Sequence, residues 1–415
     1  MDLRNELTHL VEAGIIDRET AVRIETYLQA RRPTSQTQFT VFGILGGLII
    51  GLGVILLIAH NWDEFSRGMR TAFAFLPMLA GQALTAFAFW RRKTDASWAE
   101  GSSLFLCCGV GAVISLISQV YNIPGDLSAF LFTWMLLILP IVYIMRSSSV
   151  SIFYLAGITL FGAGKGYFQN PELPWQYWLM LAAVVPHYLS ILRHSPASKF
   201  TRIHNWLLPL SVLVMLGTFA KDHGVIMYAA YISFFGLLVH GGSLAGNGYA
   251  ARTFGAIGSL GTVAMLLAAS FDTIWKDVDK LPVAALMSRE ALVALALTAA
   301  GIYLSYKNRS GFHYAGIAIV AFPVIFLIGC ATPMAYAGVN LLVLYIGLGY
   351  IRAGLRTQHL ILLNYGLLAI GALVLCRFFD SDVSFVLRGI SFIIVGAGFI
   401  VANLYLLKKR RHASQ

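Results

Sequence analysis

A chain of 415 residues that is 58% hydrophobic and only 12% charged, with mean hydropathy +0.73, carries too few charges to cover a water-facing surface, which takes about a quarter of its residues as charges. Its formal charge of +11 does not point to nucleic acid, because the basic residues sit in short loops and at the C-terminus, where membrane topology and anionic lipid account for them. Cys107, Cys108, Cys330 and Cys376 lie in apolar runs and read as small buried hydrophobes, which excludes a disulfide framework and a cysteine metal site.

Residues 3–13 and 17–30 predict two short amphipathic helices. Leu3, Leu7, Leu10 and Val11 recur at helical spacing, Gly14 interrupts, and Asp17 is placed to cap the second helix, which stops before Pro33. About 30 residues bury little core by themselves. The hairpin is therefore either a cap over the ends of a larger bundle or a module that binds a protein partner.

Residues 38–65, QFTVFGILGGLIIGLGVILLIAHNWDEF, form the first long apolar run. It begins too late, and runs too long, for a cleavable signal, so it predicts a retained anchor. Gly43, Gly47 and Gly51 repeat at spacing four along one ridge, where missing side chains let another helix approach closely. The ridge serves packing or a moving, substrate-facing helix, and a Gly47→Leu change is expected to damage assembly in either case. The run ends in a polar cluster. Trp62 suits the interfacial belt, while Asn61 and Asp63 suit either capping and anchoring or a pocket.

From there the apolar runs predict about 14 spans, at approximately 38–59, 70–90, 101–120, 129–145, 148–164, 175–192, 203–220, 224–240, 253–270, 289–306, 311–328, 332–350, 359–376 and 385–407. With the N-terminus inside, this count puts 21 of the 30 basic residues in cytoplasmic loops and tails, the sign required by the positive-inside rule. The expected fold is an all-α polytopic transmembrane helix bundle over 38–407, with a cytoplasmic helical hairpin at 1–33 and a basic cytoplasmic tail at 408–415. Both termini are then cytoplasmic.

A second polar cluster, SQVYNIPGD, follows the third run with Gln119, Tyr121, Asn122 and Asp126. Gln119 sits slightly deeper than the loop and needs a partner or a wet cavity. By topology the cluster shares the outer side with Asn61, Trp62 and Asp63, so the two form one polar pocket or are two ordinary loops. Lys165 reads as a snorkelling side chain, and His187, after Pro186, as a hydrogen-bonded histidine or a proton relay. Asn340 and Asn364 predict hydrogen bonds between helices, and Pro77, Pro140, Pro209 and Pro323 kinked or broken helices. HExxH, GxSxG, CxxC and phosphate-loop patterns are absent from the sequence, so no catalytic residue, cofactor or metal is assigned.

The short helical start LVEAGIIDRETAVRIETYL, the run ending in AHNWDEF, and SQVYNIPGD followed by FTWMLLILPIVYIMRS resemble the predicted bacterial inner-membrane proteins grouped under domain of unknown function 2157, over roughly residues 5–146. Asn61, Trp62 and Asp63 match that family's polar ending of the first span, and Gln119 and Tyr121 match its second landmark. Asn122 stands where a histidine is expected in many relatives. The resemblance implies a multi-pass protein of the bacterial cytoplasmic membrane and supplies no substrate. The leading expectation is a transporter, channel or lipid-handling protein with an outward-facing polar cavity. The alternative is a structural or sensory scaffold whose N-terminal helices recruit a partner.

Overall fold

The computed structural model describes residues 11, 13–31, 62–92, 95–168, 171–244, 248–278, 281–307, 314–332, 334–378 and scattered positions between 386 and 404. Its contacts divide the chain into two units, Met1–Phe73 and Ala74–Gln415. In the first unit, α1 (Arg18–Arg31) starts at the predicted cap, where the Thr20 N–H donates to Asp17 Oδ2 at 3.4 Å. A 3-10 turn, Trp62–Glu64, precedes α2 (Arg67–Arg91), whose first turn is fastened by Arg70 Nε donating to the Phe65 carbonyl at 2.9 Å. Residues 3–10 of the expected hairpin, the first apolar run with Gly43, Gly47 and Gly51, and the C-terminal tail lie outside the described residues.

The second unit continues α2 and is all helical among its described residues. It contains α3 (Ala96–Tyr121), α4 (Leu127–Ile144), α5 (Ser148–Tyr167), α6 (Trp175–His194), α7 (Lys199–Leu216), α8 (Met227–Leu244), α9 (Gly248–Ala269), α10 (Asp272–Val278), α11 (Arg289–Lys307), α12 (Ala318–Gly329), α13 (Ala335–Thr357) and α14 (Leu360–Phe378). Side-chain caps set several starts: Asp95 for α3, Asp126 for α4, Ser147 for α5 and Ser198 for α7 each accept from a backbone N–H two or three residues on. Pro77, Pro140, Pro186, Pro209 and Pro323 lie inside helices, as their positions in apolar runs predict.

Two apolar cores organise the unit. Met135, Ile138, Tyr154, Ile158 and Tyr177 centre the first, among α3 to α7, and Ile232, Leu266, Trp275, Phe322 and Ile346 the second, among α8 to α13. Trp275 is fully buried against Phe322 and Phe326, and its indole N–H donates to the Ala269 carbonyl at 2.8 Å. Close helix contacts rest on glycine. A Cβ on Gly366 of α14 would lie 2.5 Å from the Gly347 carbonyl of α13, and one on Gly258 of α9 would lie 2.6 Å from the Phe235 carbonyl of α8.

The count of about 14 spans is corrected. Among the described residues, seven helical stretches are long and apolar enough to cross a membrane: Arg67–Arg91, Ala96–Tyr121, Leu127–Ile144, Gly224–Gly242, Gly248–Ala269, Ala335–Thr357 and Leu360–Arg377. The runs at 38–59 and 385–407 fall largely outside the described residues. Five others fall short for two physical reasons. At 1.5 Å per residue, α12 with its 12 residues reaches only about 18 Å against a hydrocarbon layer of about 30 Å. In α5, α6, α7 and α11 the apolar run is interrupted by Ser, Thr, His, Asn and charged residues, several of them turned into the fold, as with Ser151, His187, His204, Asn205 and Glu290, all buried. An even count of crossings had placed both termini on one side, and that arithmetic no longer holds.

The cysteine reading is also corrected. Cys107 is buried, Cys376 is half-buried, and Cys108 and Cys330 are exposed.

Candidate functional site

The turn between α3 and α4 holds the second sequence cluster, and its backbone accounts for two of its polar residues. Asn122 ends α3 in the left-handed region at φ 49, a conformation asparagine tolerates and most residues do not. The Ile123 N–H then donates to the Ser118 carbonyl at 2.9 Å, closing the turn. Asp126 starts α4 by accepting from the Ala129 N–H on Oδ1 at 2.6 Å. Gln119 and Tyr121 are exposed, so Gln119 lies at the surface and not in a deeper cavity. Of the first cluster, Trp62 is half-buried in its 3-10 turn, while Asn61 and the Asp63 side chain lie outside the described residues. The expected two-loop pocket is thus described on one side only.

On that side Asp126 meets residues remote in sequence. A cleft of about 750 Å³ is lined by Asp126, Leu127, Ser128 and Phe132 of α4, Phe161, Gly164 and Lys165 of α5, and Phe168, Glu172 and Gln176 beyond. The chain after α5 turns back on itself: the Glu172 N–H donates to the Lys165 carbonyl at 3.1 Å, and the two side chains form an ion pair at 3.3 Å. Gln176, in the first turn of α6, buries its Oε1 without a hydrogen-bond partner among the described residues. Phe132 and Phe161 pack with ring centroids 5.4 Å apart and form an apolar wall. Gly164 lets α4 and α5 approach closely beside the cleft, since a Cβ there would lie 2.9 Å from Ser128 Oγ. One wall is therefore aromatic and the rim carries two carboxylates and one ammonium.

Lys165, read from its context as a snorkelling side chain, is also paired with Glu172 and lines this cleft. The signal available in sequence was the pairing of Lys165 with an acid seven residues on, across a short Pro-containing turn. What could not be read from spacing was that Asp126, 39 residues upstream, closes the same cleft.

At the other end of α5 polar side chains bond to one another and to the backbone. Glu100 of α3 accepts from the Ser147 hydroxyl, from the Ser148 N–H at 2.9 Å and from the Ser149 N–H at 2.8 Å, placing a carboxylate on the start of α5. Ser151 and His204 Nε2 are 2.9 Å apart, and His204 Nδ1 lies 2.9 Å from the Phe200 carbonyl. That carbonyl can only accept, so Nδ1 carries the proton and Nε2 accepts from the Ser151 hydroxyl. Tyr188 donates to Asn205 Oδ1 at 2.8 Å. His187 packs edge-on against Tyr143, with its Nε2 buried and unpartnered among the described residues. Sequence reasoning singled out His187 and passed over His204, which holds the network.

A third carboxylate fastens the second core. Glu290, buried at the start of α11, accepts on Oε1 from the successive N–H groups of Lys221 at 2.7 Å, Asp222 at 3.1 Å and His223 at 3.4 Å. Arg289 Nε donates to the Phe219 carbonyl at 2.8 Å beside it. Burial raises the Glu290 pKa, but hydrogen bonds from its own N–H and from those of Lys221, His223 and Asp222 outweigh burial and hold it at about 2, against an ordinary 4.5. Among the described residues no group of three or more His, Cys, Asp or Glu side chains is placed to hold a metal ion.

Residues 8–151 match the family described as predicted membrane protein, DUF2157. This bears out the resemblance drawn from the N-terminal landmarks, and it covers Asp126, Ser128 and Phe132 of the cleft but not Lys165, Glu172 or Gln176. No curated protein and no solved structure matches the chain. The chain is a polytopic membrane protein whose N-terminal region matches this family.

Proposed function

We propose that this chain is a lipid-handling membrane protein that takes an amphiphile into the cleft between α4, α5 and the start of α6. One observation carries the reading: a single cleft of about 750 Å³ joins the aromatic wall of Phe132 and Phe161 to the polar rim of Asp126, Lys165, Glu172 and Gln176. That volume is within the range of about 300–1,000 Å³ common to small-molecule sites. At its mouth Leu127 and Phe168 are 70% and 68% exposed, so an acyl chain leaving the bilayer stays on apolar surface as its head reaches the rim. This favours lipid handling over an ion pathway. Orientation belongs to the same proposal. Arg91, Arg146, Arg193 and Arg202 cluster at the opposite helix ends from the cleft, and basic loops favour the cytoplasm, so the cleft faces outward across a bacterial inner membrane.

Ser128→Trp fills the cleft from its half-buried floor. Full-length protein released from nanodiscs into a mass spectrometer should retain bound lipid as wild type and lose most of it as Ser128→Trp, with unchanged thermal unfolding. Equal retention by both would end the reading. The scaffold alternative rests on the apolar residues Ile15 and Val22, exposed at 68% and 56% around α1. A chain carrying Ile15→Asp and Val22→Asp should still rescue a deletion strain if the cleft carries function, and should fail to if partner recruitment does.

A further inference from the structure

We infer that the outer face of α7 holds an anionic phospholipid, with its phosphate at Lys199 and Arg202 and its acyl chains along Trp206 and Leu210. This is a second site, at the far end of α6 from the cleft, and it does not depend on what the cleft takes. α7 turns its hydroxyl, imidazole and amide side chains inward: Thr201, His204, Asn205 and Ser211 are buried. That leaves Lys199, Arg202, Ile203, Trp206, Leu207 and Leu210 to line a groove of about 420 Å³ on the outer face. From residue 203 to the end of the helix the exposed positions are Ile203, Trp206, Leu210 and Val214, a stripe at helical spacing. The groove is basic where the helix starts and apolar along the rest of its length.

The order of these residues fits one leaflet of a bilayer. At 1.5 Å per residue, Trp206 lies about 6 Å along the axis from Arg202, and Val214 about 18 Å. The headgroup layer is roughly 5–7 Å deep, over a half-thickness of hydrocarbon of about 15 Å. With the two cations at headgroup level, the indole stands at the interface, where Trp is favoured, and Leu210 and Val214 lie in hydrocarbon. Charge then names the head. No Asp or Glu occurs between Glu172 and Asp222 in the sequence, no acid lines the groove, and among the described residues neither Lys199 nor Arg202 forms an ion pair. A phosphate diester meets both cations, the arginine through its two-pronged fork and the lysine as a point charge. A choline head brings its own cation against these two, so a head whose only charge is its phosphate is preferred.

The test uses full-length protein in nanodiscs of equimolar phosphatidylglycerol and phosphatidylcholine with identical acyl chains, and reads by native mass spectrometry the lipid that survives activation longest. Each basic residue at a membrane surface is worth about a fivefold preference for an anionic lipid, so wild type should enrich phosphatidylglycerol about 25-fold, and Ser128→Trp, with its cleft filled, should do the same. Lys199→Gln with Arg202→Gln should bring the ratio close to one. Arg352→Gln with Arg356→Gln removes the same charge from another exposed helix end and should leave the ratio unchanged. Trp206→Ala keeps both cations and should release phosphatidylglycerol at lower activation energy. The substituted α7 side chains are exposed, so thermal unfolding should stay near wild type, and Lys199→Arg with Arg202→Lys, which keeps both charges, should keep most of the preference. Equal retention of the two lipids by wild type, an equal loss in the Arg352 and Arg356 pair, or a wild-type dimer that Trp206→Ala breaks overturns the assignment. Loss of the preference in Ser128→Trp overturns it too, while leaving the lipid-handling reading of the cleft in place.

Discussion

Carboxylates at the two kinds of site in the second unit are treated in opposite ways. Glu290 and Glu100 each accept from three donors, backbone N–H groups among them, and join segments 67 to 69 or 47 to 49 residues apart in sequence. Asp126 and Glu172 each leave an acceptor open to the cleft. A buried polar group with every bond made is part of the fold, and removing it costs stability. One left open beside a cavity adds little to the fold and is available to a ligand. The difference separates structural from functional polarity in a chain with only 19 acidic residues.

The contrast can be broken first at its structural end. Glu290→Ala leaves the three N–H groups of Lys221, Asp222 and His223 without their acceptor and should cost about 3 kcal/mol. Detergent-solubilised protein should show this as a lower thermal midpoint, and a change below about 1 kcal/mol would mean the latch is not fastened as described. The same carboxylate has a pH signature. Its folded pKa of about 2 lies below its ordinary 4.5, so its stabilisation is fully present above about pH 5 and is lost as pH falls from 4.5 towards 2. Thermal midpoints taken from pH 6 to pH 3 should fall in wild type and fall less in Glu290→Gln.

At the boundary between the two classes is Asp126, which both caps α4 and faces the cleft. Asp126→Ala should cost about 1 kcal/mol, the usual loss of an N-cap, and should weaken lipid retention in the cleft. Asp126→Asn keeps a capping oxygen, so it should recover most of the stability while lipid retention remains weakened. The smallest stability effect is expected at Gln176. Gln176→Leu should change stability by less than about 0.5 kcal/mol, or raise it, because it removes a buried acceptor that has no donor. A large destabilisation there would show that Gln176 belongs with Glu290 and not with the cleft.

Much of the helical architecture was legible from local chemistry. Asp17, identified by its position before an amphipathic run, does cap α1, and the Pro-Gly segment before Asp126 does separate two helices. The number of crossings was less legible, because a run of 17 or 18 apolar residues in sequence does not reveal whether its Ser, His and Asn face lipid or a neighbouring helix. In α5 and α7 they face each other: Ser151 meets His204, and Thr159 meets Ser211 at 2.6 Å. The paired serines that cap α5 onto Glu100 were likewise invisible, since their partner lies 47 residues away. Asn122, read as a pocket candidate, also ends α3 at a positive φ, and Lys165, read as snorkelling, also lines the cleft. Tertiary neighbours decide both cases, and neither has a spacing that announces it.

The central claim is that the cleft holds lipid. The most direct test is photocrosslinking in native membranes with a phospholipid carrying a diazirine near the end of its acyl chain, followed by peptide mapping. The account predicts label on the α4 and α5 peptides that contain Phe132 and Phe161, lost in Ser128→Trp. Label spread evenly over the exposed apolar faces of the seven long apolar helices among the described residues, and unchanged by Ser128→Trp, would contradict it.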